Sequence, residues 1–257
     1  MGIQMASSET TDQAWRGLYA VGGIMGVLTG LLGLASSRMG YLLYSAGYPD
    51  NPTAYLRLVS QKQLLANSLW SLWILNDLLG FAPSIAAYLV LRRSNRALAL
   101  VGAVFVFFYL FYDISVTELN SLTLVSLSQG YASAPTDALR ASYVTAATYG
   151  YAALPLQTVL SFGVGAIGWL LWSVVVLQGR SIFPRWMGVL GVIVNVIGII
   201  GAAAPVIPAS FTLGLFQFFA VPLTAVWVTG VGARLYRYGR TLPTSPANSS
   251  STSVVRT

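Results

Sequence analysis

The chain of 257 residues is 56% hydrophobic and only 8% charged, with a mean hydropathy of +0.69, where an ordinary soluble domain carries about 25% charged residues; these are the proportions of an integral membrane protein. It has no cysteine and no histidine, which excludes disulfide frameworks, thiolate nucleophiles, cysteine-held iron–sulfur clusters, histidine-ligated haem or zinc, and the usual general base. The net charge of +7 comes from 14 basic residues, all but Lys62 arginine, scattered among apolar runs; with no basic block interleaved with aromatics they point to membrane topology and not to nucleic acid.

A helix that crosses a bilayer needs about 20 mostly apolar residues. Six such stretches occur, approximately Trp15 to Ser36, Leu64 to Leu91, Ala97 to Leu119, Leu154 to Gln178, Trp186 to Ala204 and Ser210 to Leu235. The expected fold is an all-α polytopic bundle over 15–240, preceded by a polar N-terminus, 1–14, and followed by a Ser/Thr/Pro-rich tail, 241–257, too polar to bury anything and expected to be disordered. The first span ends in Leu34-Ala35-Ser36-Ser37, like a signal peptide, but no basic region precedes it, so it is read as a retained span. After it, Asp50-Asn51-Pro52 reads as a helix start with Pro in the first turn, and Tyr55, Leu58 and Val59 share a face; this stretch is expected to rest on the outer membrane surface. A milder helical pattern from Thr136 to Ala153 is expected to project above the bilayer and run on into the fourth span.

Orientation follows from arginine. Arg92, Arg93 and Arg96 lie between the second and third spans, Arg180 and Arg185 between the fourth and fifth, and Arg234, Arg237 and Arg240 after the sixth. These places share one side of a six-span chain, and the positive-inside tendency makes that side cytoplasmic, with both termini inside. Arg38, Arg57 and Lys62 oppose this from the first outer loop, which is longer and also holds Asp50.

The run Tyr55-Leu56-Arg57-Leu58, continuing through Gln63-Leu64-Leu65 to Ile74-Leu75-Asn76-Asp77-Leu78-Leu79, resembles a family of bacterial six-span membrane proteins, domain of unknown function family 4386. Ala87-Tyr88-Leu89-Val90-Leu91-Arg92, Arg96-Ala97-Leu98-Ala99-Leu100 and Phe183-Pro184-Arg185-Trp186-Met187-Gly188-Val189-Leu190 carry the same resemblance, which covers Trp15 to Arg240. It implies a fold, a bacterial origin and hence the cell's inner membrane; it implies no catalytic residue.

Ionisable groups within spans are costly, so each is a functional hypothesis. Asp77 precedes Arg92 by fifteen residues and Asp113 follows Arg96 by seventeen, which at ~1.5 Å per residue places them ~22 and ~25 Å above the same turn, in one layer. Gln217, seventeen residues before Arg234, joins them from the sixth span. Glu118 and Gln157 are placed higher, near the outer surface, and Asn195 deeper and apart. Three- and four-residue steps put Tyr109, Asp113, Thr117 and Asn120 on one face of the third span, and Trp70, Trp73, Asp77 and Ser84 on one face of the second. Together these suggest an outward-opening polar pocket walled by aromatics, with Asp77 and Asp113 at its floor. Pro83, Pro155 and Pro222 each free a carbonyl one turn earlier. The candidate ligand-binding residues are therefore Asp77, Asp113, Gln217, Tyr109, Trp73 and Glu118; no catalytic, cofactor-binding or metal-ligating residue is assigned, and no cofactor is expected.

The alternative role for the two aspartates is interhelical hydrogen bonding that fixes packing. Gly22, Gly26 and Gly30 form a stripe suited to close packing within the bundle, with dimerisation as the alternative. The phosphate-loop, nucleophile-elbow and zincin motifs are absent. Three functional readings follow: a small-solute or proton-linked binding and transport protein, a non-catalytic accessory subunit of a membrane complex, and a membrane enzyme acting on a lipid. The partners expected are the lipid bilayer and a small solute or proton, with no nucleic acid; an oligomer or complex partner stays open.

Overall fold

A computed structural model describes the backbone of residues 2–45, 47–179, 181–203 and 211–243, and their side chains apart from 2–13 and 211–218. The expected tail from 244 onward, and Arg180, lie outside the described residues. The helices are α1 (Gly2–Leu43), α2 (Pro52–Gln61), α3 (Gln63–Leu91), α4 (Arg96–Tyr112), α5 (Leu119–Ser133), α6 (Asp137–Thr158), α7 (Val164–Leu177), α8 (Arg185–Ala203) and α9 (Phe211–Thr241). A π-helical turn, Asp113–Glu118, joins α4 to α5 without a break, and another, Val159–Gly163, joins α6 to α7. Among the described residues six helices are long and apolar enough to cross a membrane: Ala14–Leu43, Gln63–Leu91, Arg96–Ser133, Asp137–Leu177, Arg185–Ala203 and Phe219–Thr241.

These six spans form a ring in sequence order. Each packs on the span before and after it, and α9 closes on α1. Indole N–H groups pin two of the seams: Trp172 Nε1 donates to the Ala99 carbonyl at 3.0 Å, and Trp227 Nε1 to the Met187 carbonyl at 3.0 Å. The closing seam depends on glycine. A Cβ on Gly26 would stand 2.9 Å from Cα of Gly232, and one on Gly23 would run into the Tyr236 backbone, so the two helices touch backbone to backbone. Gly22 meets α3 at Ala82 and Ala86 instead. The glycine stripe thus serves packing within the bundle, as the spacing of small residues implies.

The third span does not end near Leu119. Its helix continues to Ser133, 38 residues in all, or about 57 Å at the α-helical rise, against a hydrocarbon core of about 30 Å. The excess builds a second layer. Leu124 and Val125 of α5, Ala147 of α6, Tyr55, Leu56 and Val59 of α2, and Ala66 and Leu69 of α3 form one apolar cluster. The expectation that α2 rests on the membrane surface is corrected: it packs against α5 and α6, because helices that outrun the bilayer offer its apolar face a protein surface. Its start is as the sequence suggested, with the Asn51 side chain accepting from the Ala54 N–H at 2.9 Å and Pro52 following.

Lys62, the only lysine, donates to the carbonyls of Leu42 and Leu43 at 2.7 and 3.0 Å. Its charge therefore caps the C-terminal end of α1. At the opposite end, Arg93 reaches from the α3–α4 turn to the hydroxyls of Tyr19 and Tyr238 at 3.1 and 3.2 Å, and Arg16 Nε donates to the Gly239 carbonyl at 3.2 Å. The part of α1 around Arg16 and Tyr19, the α3–α4 turn and the end of α9 thus meet at one arginine-rich end.

Candidate functional site

The ring encloses two apolar cores. One fills the arginine-rich half, around Val106, Trp172, Val175, Phe183 and Leu235; the other is the cluster under α2 and α5. Asp77, Asp113 and Glu118 are 1%, 2% and 1% exposed, and each offers a carboxylate oxygen within 4.8 Å of those of the other two. Three of the chain's seven acidic side chains therefore meet, buried, on the α3–α4 seam.

Asp77 and Asp113 share a layer, as the distances from the arginine turn imply. Glu118 was expected nearer the outer surface, and the structure corrects this. Along an α-helix five residues advance ~500°, leaving the sixth ~140° away from the first. The π-helical turn closes i→i+5 hydrogen bonds, so its first and last residues, Asp113 and Glu118, come round to the same side. The distortion is local, and α5 resumes at Leu119. π-helical turns of this kind concentrate at functional sites.

Tyr109 donates its hydroxyl to Asp77 Oδ1 at 2.9 Å, and the Asn76 amide lies 3.4 Å from the same oxygen. The side chains of Thr117 and Ser161 stand beside Asp113. Asp77 Oδ2, Asp113 Oδ1, both carboxylate oxygens of Glu118, Asn76 Oδ1 and Thr117 Oγ1 are buried without a hydrogen-bond partner. The sequence holds no arginine or lysine between Gln63 and Leu91 or between Ala97 and Ser133, so neither helix of the seam supplies a fixed cation. Uncompensated charge in a low dielectric is costly, so buried carboxylates so placed either keep their protons or pair with a cation.

A cavity occupies the middle of the ring. Asp77, Asn76 and Tyr109 form its wall at the carboxylate layer; Trp73, Phe162 and Trp169 extend that wall, and Leu91, Phe183 and Met187 line it farther along. Trp73 and Phe162 lie edge to face at 5.7 Å, and Tyr109 and Trp169 at 5.2 Å. Among the described residues the lining therefore runs from the carboxylates toward the arginine-rich end and is mostly apolar, where an outward-opening polar pocket was expected. The reason lies in α5 and α6, which continue past the carboxylates and cover them.

Of the other expected residues, Trp73 and Ser84 line the cavity, and Asn195 lines it too while donating to the Gly191 carbonyl at 2.7 Å. Gln157 accepts from Asn120 at 2.9 Å and ties α6 to α5. Gln217 belongs to α9, but its side chain lies outside the described residues. Ser161, Phe162 and Trp169 have no forerunner in the sequence reading; the second π-helical turn and the helix after it bring them to the site.

Fold and site define a six-span helical membrane protein with a buried acidic seam beside a central cavity. Within that class the chain belongs to the family Domain of unknown function (DUF4386), whose model matches residues 18–236, in agreement with the resemblance carried by the second span. No curated protein and no solved structure matches the chain.

Proposed function

We propose that this protein binds a small solute in the central cavity and carries it across the membrane, exchanging a cation, a proton or a metal ion, at the carboxylate cluster. One observation carries the reading: Asp77 belongs to both places, as a wall of the cavity and as a member of the cluster. A solute bound against Trp73 and Trp169 thus touches the group whose charge the cation governs. The mostly apolar lining suits a solute with an apolar body and one polar or cationic group, since aromatic faces attract cations and Asp77 anchors them. By the positive-inside tendency the arginine-rich end faces the cytoplasm, and the cavity approaches that side. The membrane proposed is the inner membrane of a bacterial cell.

The test uses the full chain in liposomes. A panel of small amines, alcohols and organic acids is screened for ligands that raise the melting temperature, and those found are followed into the vesicles as radiolabelled solutes. Uptake that collapses in Asp77→Asn and in Trp73→Ala supports the reading. Uptake unchanged in the Asp77→Asn, Asp113→Asn double variant, or no ligand in the panel, overturns it.

A further inference from the structure

We infer that Asp77, Asp113 and Glu118 hold one divalent metal ion of the hard, oxygen-preferring kind, with Asn76 Oδ1 and Thr117 Oγ1 completing its ligand set. Every donor is oxygen, and the chain has neither histidine nor cysteine, so the chemistry selects calcium, manganese or magnesium over zinc or copper. Oxygens bound to one calcium ion at about 2.3–2.6 Å cannot stand more than about 5.2 Å apart, a limit that the three carboxylates respect, each offering an oxygen within 4.8 Å of the others.

The number of unpartnered oxygens favours a metal over a single proton. Asp77 Oδ2, Asp113 Oδ1, Glu118 Oε1 and Oε2 and Asn76 Oδ1 are buried acceptors with no donor, and the Tyr109 hydroxyl is already given to Asp77. A shared proton bridges two oxygens. An ion that takes 6–8 oxygen ligands satisfies them together, and its double charge offsets most of what three carboxylates bring. Asn76 makes the point independently of the acids, being a neutral side chain 6% exposed. Its amide nitrogen lies against Asp77 while its Oδ1 has no partner, and the Thr117 hydroxyl stands beside Asp113. The π-helical turn supplies the geometry, because without it Glu118 would leave the seam.

This inference deepens the cation exchange proposed above by naming the cation, and it does not depend on solute transport. The test uses tag-free, full-length protein in detergent, stripped with a chelator and then given manganese chloride. Expected are about one manganese per chain by mass spectrometry and by electron paramagnetic resonance, and a higher melting temperature with manganese or calcium than with sodium at equal ionic strength. Glu118→Gln and Asp113→Asn should lose both the bound ion and the metal-dependent rise, whereas Asp137→Asn, an exposed acid, keeps them. Wild-type protein that binds no manganese overturns the inference whatever the variants do. Folded Glu118→Gln that binds as much as wild type also overturns it. Manganese bound without solute uptake keeps the metal site and removes transport; uptake without bound manganese removes the metal and leaves the proton as the exchanged cation.

Discussion

The α1–α9 seam and the α3–α4 seam lie in the same ring and are built on opposite plans. The first is closed by small residues, with Gly26 against Gly232 and Gly30 against Thr229 and Ala225, and it needs nothing beyond its own atoms. The second carries three carboxylates and several oxygens that find no donor. Lipid gives little hydrophobic drive to either, so each must draw on contact or polarity. The glycine seam uses its sequence for closeness, whereas the acidic seam gathers buried oxygens, so one ring is held by contact on one side and built of polar groups on the other.

Crowding the glycine seam should have the largest effect. Gly26→Leu places a side chain where a Cβ already lies 2.9 Å from Gly232, so its cost should reach or exceed the upper end of the about 1–3 kcal/mol usual for overpacking. Gly17→Leu, with nothing within 4 Å of its Cβ, should melt like wild type in the same detergent. If both variants melt alike, the seam is not closed by backbone contact.

Tyr109→Phe sharpens the acidic side of the comparison. It removes the one donor to Asp77 at 2.9 Å while keeping the ring against Trp169, and should cost about 1 kcal/mol, read as a lower melting temperature. The loss should be greater in chelator than in manganese, because a bound ion leaves Asp77 less dependent on that hydroxyl.

Two further substitutions ask whether charge matters away from the seam. Lys62→Met frees the carbonyls of Leu42 and Leu43 and should cost about 0.5–1 kcal/mol, the worth of a cation at a helix C-terminus, seen as faster hydrogen exchange at the end of α1. Arg140→Ala breaks only an exposed pair with Asp137 at 3.1 Å and should leave the melting temperature unchanged.

The six spans, the arginine turns and the shared depth of Asp77 and Asp113 were all legible in the sequence, because apolar length and helical rise determine them. The role of Glu118 was not, since α-helical periodicity turns it from Asp113 and nothing in Asp113-Ile114-Ser115-Val116-Thr117-Glu118 announces a π-helical turn. The outer layer was hidden for a different reason. Ser121, Thr123, Ser126 and Ser128 make α5 too polar to resemble a span, yet their hydroxyls all donate to carbonyls of their own helix three or four residues back, so the helix persists. The direction of the cavity was hidden too, because Gly30, Gly33, Ala220 and Ala225, which help to line it, read as packing residues alone.

The order of spans around the ring bears on how the protein is made. Among the described residues each span packs chiefly on the spans next to it in sequence, and the largest exception is α9 against α1, a closure that joins Arg16 to Gly239 across 223 residues. In chain order α3 and α4 are consecutive, so all three acids are made before α6 to α9. The glycine edge of α1 must meanwhile face lipid until the last span arrives. A chain truncated after α8 leaves Gly23 and Gly26 without the helix they pack on, and should be cut faster by added protease in detergent than the full chain, even with its acidic hairpin intact.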